Sequence, residues 1–300
     1  MKSENFQMKR KLNDKATIGF LFSMLVVPIL NFLIFWVYVN YRSIMYAFEL
    51  PSGEFTWINF EWVFNEFVSE NSVMLEALEN TLLFFAVNIF FCMPAAVILS
   101  YFLYKKIWGN SVFRVIFYLP SIISAVVLTT VYKEFIGPTG PISLIMTSQG
   151  LQAPEFLKSY TYAIWAVVLY SVITGFGNNL LLMSGAMARI PEEIVESAML
   201  DGIRPMNEMI KIVIPLIWPT LSTLLVFAFA GLFSSSGPIL LLTKGNYGTM
   251  TISYWIFDQV NSYQSYWNAS AAGLIYTVIG VPIALGSKYL FGRIMSDVEY

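Results

Sequence analysis

An all-α integral membrane protein with six transmembrane helices is the fold class this sequence predicts, and three observations predict it. Hydrophobic residues make up 57% of the 300-residue chain and charged residues only 12%, about half the charged share of a soluble globular domain. Six uncharged runs reach or approach the about 20 helical residues that a bilayer's hydrocarbon core demands. Lys and Arg, finally, fall unevenly on the segments that join those runs, which is the pattern that fixes orientation in membranes.

The runs are Ala16–Tyr41, Asn80–Tyr104, Val115–Tyr132, Ser159–Ala188, Ile212–Thr243 and Gln259–Ser287. The third is the shortest and is expected to begin before Arg114, with that side chain snorkelling to the interface. A seventh uncharged stretch, Phe135–Pro154, carries Gly137, Pro138, Gly140, Pro141 and Gly150. Its backbone groups would lie unpaired in lipid, which places it outside the membrane. The first run follows Lys9, Arg10, Lys11 and Lys15, yet it exceeds the apolar core of a signal peptide, about 7–15 residues, and no small-residue cleavage site follows it. Trp36, Tyr38 and Tyr41 form an interfacial belt at its end, so it reads as an uncleaved span. Pro28, Pro94, Pro120 and Pro282 are expected to kink their helices.

With the N-terminus in the cytoplasm, 13 of the 17 basic residues lie inside, and only Arg42, Lys133, Lys158 and Lys244 lie outside. Six spans return the C-terminus to the same side. The chain then divides into a cytoplasmic tail (1–15), a first transmembrane helix (16–41), an extracytoplasmic segment (42–79), a five-helix core (80–292) with a cytoplasmic loop at 189–211, and a short cytoplasmic tail (293–300). The 42–79 segment holds seven glutamates with Trp57 and Trp62 among them, a solvated face with an interfacial helix. The outer segment Lys133–Lys158 is expected to be loop-like and Lys244–Asp258 short. No extramembrane part is long enough to build its own core.

The residue inventory excludes much chemistry. The chain has no His and one Cys, which removes internal disulfides, histidine acid–base catalysis and Cys/His metal sites. Cys92, inside an apolar run, reads as a small buried hydrophobe. No basic stripe points to nucleic acid, and the formal net charge of −2 is uninformative. Catalytic residues, metals and cofactors are therefore not expected. No Gly-Lys dipeptide occurs, so the phosphate-cradling loop of the GxxxxGK[ST] kind is missing and any ATP must be hydrolysed on another polypeptide.

The most informative segment runs from Arg189 to Pro205. Pro191 suits a first helical turn, Glu192 and Glu193 complement the positive end of the dipole, and Asp201-Gly202 provides a stop where glycine takes positive φ. Pro205 then starts a second short helix toward Ile214, Pro215 and Pro219. These residues resemble the EAA loop of binding-protein-dependent ABC importer permeases: Glu196-Ser197-Ala198, then Leu200-Asp201-Gly202, then Ile212-Val213-Ile214-Pro215. Ser197 and Ile203 depart mildly from the family pattern.

What the resemblance implies is a type I ABC importer permease fold, a small-tipped knob that docks on an ABC ATPase dimer, a second permease subunit of a different kind, and an extracytoplasmic solute-binding protein. The implied place is the inner or plasma membrane of a bacterial cell. The coupling residues would be Glu193, Glu196, Ser197, Ala198, Asp201 and Gly202, with Ser197, Ala198 and Gly202 as the small tip. Leu78-Glu79-Asn80-Thr81-Leu82 and Leu240-Leu241-Leu242-Thr243-Lys244-Gly245, followed by Thr249 and Thr251, resemble segments of the maltose-type subunit in sugar importers. Counted without gaps from the loop, that subunit's sugar-lining positions fall on Ser171, Thr174, Gly175 and Asn178 in the fourth run and on Gly231, Leu232 and Ser235 in the fifth. The expected substrate is a carbohydrate, which neutral donors and acceptors bind beside aromatic faces. Gly175, Gly177, Gly231 and Gly237 have an equal claim as close-approach points between helices. An amino-acid, peptide or phosphate importer shares the loop and stays open. A secondary carrier would place an ionisable group between the spans, and none is found there.

Overall fold

The structure, a computed structural model, describes residues 15–70, 72–234 and 238–294. Among the described residues every regular element is helical, and the only extended pairing is an isolated bridge between Glu49 and Phe55. The chain forms two compact units: one comprises residues up to Val63 together with Ser265–Leu274, the other Phe64–Gln264 together with Ile275 onward.

In the first unit, helix α1 (Thr17–Ala47) runs past the expected end at Tyr41, and no residue of its most apolar window is buried in the molecule. A helix that is apolar all round yet buried by nothing in its own chain requires lipid or another subunit around it. The chain then reverses through Pro51-Ser52-Gly53, where Gly53 has φ +84°. The buried Asn59 donates its amide to the carbonyls of Ala47 (3.1 Å) and Glu49 (2.9 Å), so the turn is fixed from beneath. Phe48 is the hub of an aromatic cluster, with Trp57 and Phe60 at 5.0 Å and Phe55 at 5.6 Å between ring centres. Helix α2 (Ile58–Val68) follows, in the segment where a helix is expected between the first two runs.

In the second unit, α3 (Val73–Tyr104) and α7 (Ala163–Met187) are long spanning helices. Ser72 caps α3, its hydroxyl accepting from the Leu75 amide at 2.9 Å, and so satisfies one of the orphan donors of the first turn. The two helices cross where the buried Ser100 donates to the Leu180 carbonyl at 3.2 Å. On α7, a Cβ at Gly177 would sit 2.7 Å from the Cβ of Ser121, so α7 meets α4 (Asn110–Ile122) at glycine contact distance.

Two spans differ from expectation. The single helix expected over Val115–Tyr132 is α4 followed by α5 (Ala125–Ile136), and α4 meets the Ala125–Ser148 segment at 107°. Pro120 lacks the amide that would continue the ladder, and Ile123 and Ser124 are extended, with ψ of 142° and 134°, which turns the chain. The outer segment expected to be loop-like contains α6 (Pro141–Ser148). Beyond α8 (Glu192–Leu200), the run Ile212–Thr243 is likewise divided. Helices α9 (Pro205–Leu216) and α10 (Trp218–Ala230) meet at 77° around Ile217. Helix α10 ends 13 residues later, about 20 Å at 1.5 Å per residue and short of a full hydrocarbon core of about 30 Å. A short helix α11 (Ile239–Leu242) and then α12 (Ile252–Asn261) follow, so the segment after Lys244 is also partly helical. Helix α13 (Tyr266–Ile294) closes the fold with Pro282 inside it and no break in the helix.

Proline leaves a second mark. Of the three stretches that widen to π-helical turns among the described residues, Asn88–Cys92 and Met209–Val213 each end two residues before a proline, Pro94 or Pro215, whereas Phe32–Tyr38 in α1 has no proline just after it. The carbonyls of Phe90 and Lys211, which those prolines cannot bond, lie inside the widened turns. Longer-range bonding there accommodates the missing donors without leaving the helix.

Candidate functional site

A cavity of about 650 Å³ opens within the second unit, among α3, the α4–α5 junction, α7 and the residues after α10. Its size lies in the range of small-molecule sites, roughly 300–1,000 Å³. Six of the seven positions expected on the pathway line it: Ser171, Thr174, Gly175 and Asn178 from α7, and Gly231 and Leu232 after α10. The seventh, Ser235, and likewise Gly237, lie outside the described residues.

The hydroxyls have defined polarity. Ser171 donates to the Val167 carbonyl (3.0 Å) and Thr174 to the Tyr170 carbonyl (2.9 Å), so both offer lone pairs to the cavity as acceptors. The amides of Asn178 and Asn179 make no side-chain hydrogen bond among the described residues, which leaves each free to donate and to accept. A Cβ at Gly175 would meet nothing within 4 Å, so this glycine is open cavity floor, whereas Gly177, two residues on, is a packing contact. At Gly231 a Cβ would lie 3.2 Å from the Phe227 carbonyl of its own helix.

Sequence reasoning missed the opposite wall, supplied by Thr81, Phe84, Phe85 and Asn88 of α3 and by Ser121 of α4. The signal available was Asn88, an isolated amide in the middle of an apolar run. Phe84, Phe85 and Tyr170 add aromatic faces beside these neutral polar groups. Among the described residues, no Asp, Glu, Lys or Arg lines the cavity.

The segment expected to couple to an ATPase, α8, is built as its sequence suggests, with one correction. Pro191 precedes the helix as its cap instead of occupying the first turn, and Glu192 and Glu193 fill that turn. Gly202 takes φ +74°. Its amide donates to the Met199 carbonyl (3.0 Å) and that of Ile203 to the Ala198 carbonyl (3.2 Å), the paired bonds of a Schellman stop. Glu193, Glu196, Ser197, Asp201 and Gly202 are exposed, and Leu200 is 90% exposed. Ala198, expected at the tip, is buried. With Val195 it forms the inward stripe at helical spacing, and Val195 packs in one core with Met187, Ile190, Met209 and Val213.

A buried ion pair ties this segment to α3. The Lys105 ammonium lies 2.8 Å from Glu208 Oε1 and donates to Oε2 at 3.0 Å, while the Glu208 side chain is only 2% exposed. One turn earlier on α3, the Tyr101 hydroxyl donates to the Pro205 carbonyl at 3.0 Å. The start of α9 is thus held to the end of α3 at two points.

At the other end of α3 the two segments that resemble the maltose-type subunit meet. The buried Asn80 donates its amide to the carbonyls of Gly248 (3.0 Å) and Met250 (2.8 Å), and Thr81 accepts from the Ile252 amide (3.0 Å). The loop they hold is tightly wound, with positive φ at Lys244, Gly245, Tyr247 and Gly248. Thr249 donates to the Asn246 carbonyl at 2.7 Å, so the 2.6 Å contact between the Thr243 and Thr249 hydroxyls is donated by Thr243. Asn80→Ala leaves two loop carbonyls without their donor and is expected to lower stability by about 1–3 kcal/mol. Thermal unfolding of the detergent-purified variant checks this, and an unchanged midpoint would refute the role given to Asn80.

The binding-protein-dependent transport system inner membrane component family matches residues 80–296. The chain is 28% identical over 177 residues to the probable ABC transporter permease protein YesP of Bacillus subtilis (strain 168), a match spanning 57% of each chain. It is 23% identical over 278 residues to the arabinooligosaccharides transport system permease protein AraP of the same organism, covering 90% of this chain and 87% of that one. A solved bacterial ABC transporter involved in the import of the acidic polysaccharide alginate contains a chain that superposes with a TM-score of 0.84. The two are 25% identical, and the match covers 95% of this chain and 99% of that one.

Proposed function

The chain belongs to the binding-protein-dependent transport system inner membrane components, and from that membership we propose that it forms the carbohydrate pathway of a bacterial ABC importer. It is a transporter subunit and hydrolyses no ATP itself. A dimer of ABC ATPases drives it, a second, different permease completes the pathway, and an extracytoplasmic binding protein delivers the sugar. The chain sits in the bacterial plasma membrane with both termini in the cytoplasm, in keeping with the 13-to-4 distribution of its basic residues.

The observation that carries this reading is the pairing of a neutral cavity with an exposed, rigidly based knob in one compact unit. The cavity offers what a polyol requires: acceptors at Ser171 and Thr174, amides at Asn178 and Asn179, and aromatic faces at Phe84 and Phe85. The knob presents Glu193, Glu196, Ser197, Asp201 and Gly202 to the ATPase, while Val195 and Ala198 seat its inner face on the membrane helices. ATP binding draws the two knobs of the importer together and rocks the helices between inward-open and outward-open states. A ligand shifts such an equilibrium only through its different affinity for the two states, and ATP supplies that difference.

The test uses the complete importer reconstituted in proteoliposomes, with ATP hydrolysis and uptake of labelled oligosaccharide measured together. Gly202→Leu places a side chain at positive φ, which costs about 1–2 kcal/mol locally, and puts a bulky group on the docking surface. The variant is expected to stay in the membrane while uptake per ATP hydrolysed falls at least tenfold, the effect of losing about 1.4 kcal/mol of coupling. Normal stoichiometry would refute the assignment of the knob, and no ATP-driven uptake of any sugar by the wild type would refute the function.

A further inference from the structure

The reading of the basic residues leaves three lysines of the second unit on the outer side, and the structure gathers all three around one cavity. Lys133 comes from the end of α5, Lys158 from a short turn before α7, and Lys244 from the loop after α11, yet together they ring a hollow of about 370 Å³. Phe156 and Tyr247 line it beside them, as does one carboxylate, Glu155. Lys158 is paired with Glu155 at 2.9 Å. Lys133 and Lys244 have no carboxylate at ion-pair distance among the described residues, and Lys244 is held at φ 53°. A non-glycine residue in that region is a strained choice, of the kind that collects at ligand sites.

The hollow borders the pathway cavity. Along α5, Leu128 and Thr129 line the midplane cavity and Lys133 and Ile136 line this one. Thr129 and Lys133 are one turn apart on the same helix face. Leu241 borders both spaces. The lysine-ringed hollow therefore abuts the cavity that holds Ser171 and Asn178.

We infer that this hollow is an outer subsite for a carboxylate-bearing sugar, so that the importer accepts acidic oligosaccharides built from uronic acid units. This rests on the carbohydrate reading above. Two unpaired ammonium groups match carboxylates repeated along a chain, and charge-assisted bonds are the stronger kind. The faces of Phe156 and Tyr247 suit the apolar side of a pyranose ring. Among the described residues, no Asp or Glu lines the neighbouring cavity to repel the carboxylate.

The test compares uptake of labelled trigalacturonate with that of its carboxyl-reduced, neutral counterpart by the reconstituted importer with its own binding protein. Binding of each probe to that protein is measured first, and uptake is expressed per loaded carrier. The wild type is expected to import trigalacturonate. Lys133→Gln/Lys244→Gln should reduce that uptake about tenfold or more, chiefly through KM and less so at high salt, while changing neutral uptake less than twofold; tenfold corresponds to one charge-assisted hydrogen bond. An equal loss for both probes would assign the lysines to docking of the binding protein and overturn the subsite, as would no loss for either. Import of neutral sugars alone, or a binding protein that takes no acidic sugar, would overturn the acidic specificity and leave the carbohydrate function standing. No ATP-driven uptake of any sugar would overturn that function itself.

Discussion

Lys105→Met is expected to destabilise the permease by about 3–5 kcal/mol, the cost of leaving a buried charge without its partner. The partner is Glu208, whose side chain is 2% exposed and whose two carboxylate oxygens lie 2.8 and 3.0 Å from the ammonium. The carboxylate is almost wholly shielded from water, while the Lys105 side chain that partners it is 19% exposed. The effect matters because a folded domain has only about 5–15 kcal/mol to lose. The double variant Lys105→Met/Glu208→Leu removes both charges and fills the volume with apolar groups, and such replacements are often neutral or stabilising. It should therefore regain the thermal midpoint that the single variant loses. Midpoints of the three detergent-purified proteins decide the matter, and a Lys105→Met variant that melts with the wild type would remove the pair from the account. The double variant also separates stability from coupling. If α9 moves with α3 because charge holds them, uptake per ATP should fall in the double variant even though its fold is restored.

That pair could not be read in the sequence. Its members stand 103 residues apart, and a lone Lys at the end of an apolar run looks like any other interfacial charge. What could be read was local. Glu192 and Glu193 ahead of Ile194, with Asp201-Gly202 behind Leu200, fixed both ends of α8 within a residue, because caps act over one turn. Spans with unbroken apolar runs, such as α3, α7 and α13, were also legible from length and charge. The two divided spans were not. Ile122, Ile123 and Ser124 are uncharged, so the run continues through a 107° bend that composition does not register. Ala198 taught a related lesson: the family pattern marks it as small, while helical spacing from Val195 places it inward, and spacing decides which face a side chain occupies. The cavity was half legible, since counting from the loop reached α7 and the end of α10 but gave no access to the wall on α3, where Asn88 and Phe85 face the same space.

Two glycines on one helix should respond in opposite ways to the same substitution, and this is the sharpest test of the cavity. At Gly175 a Cβ would meet nothing within 4 Å, and the residue lines the cavity. Leucine there projects into open space, keeps the helix, and by propensity alone favours it by up to about 1 kcal/mol. Gly175→Leu is therefore expected to assemble and unfold like the wild type while uptake is nearly abolished, because a branched side chain occupies the volume a sugar ring needs. At Gly177 the same leucine would begin 2.7 Å from Ser121 Cβ, below any real contact distance, and would have to separate α7 from α4. Overpacking of this kind costs typically about 1–3 kcal/mol, and more where backbone must move. Gly177→Leu should therefore lose assembled protein and thermal stability before any transport is measured. Membrane yield, thermal midpoint and initial uptake rate for the two variants form the measurement. Normal uptake by a well-assembled Gly175→Leu protein would show that sugar does not pass the α7 face of this cavity, and the assignment of Ser171, Thr174 and Asn178 to the pathway would fall with it.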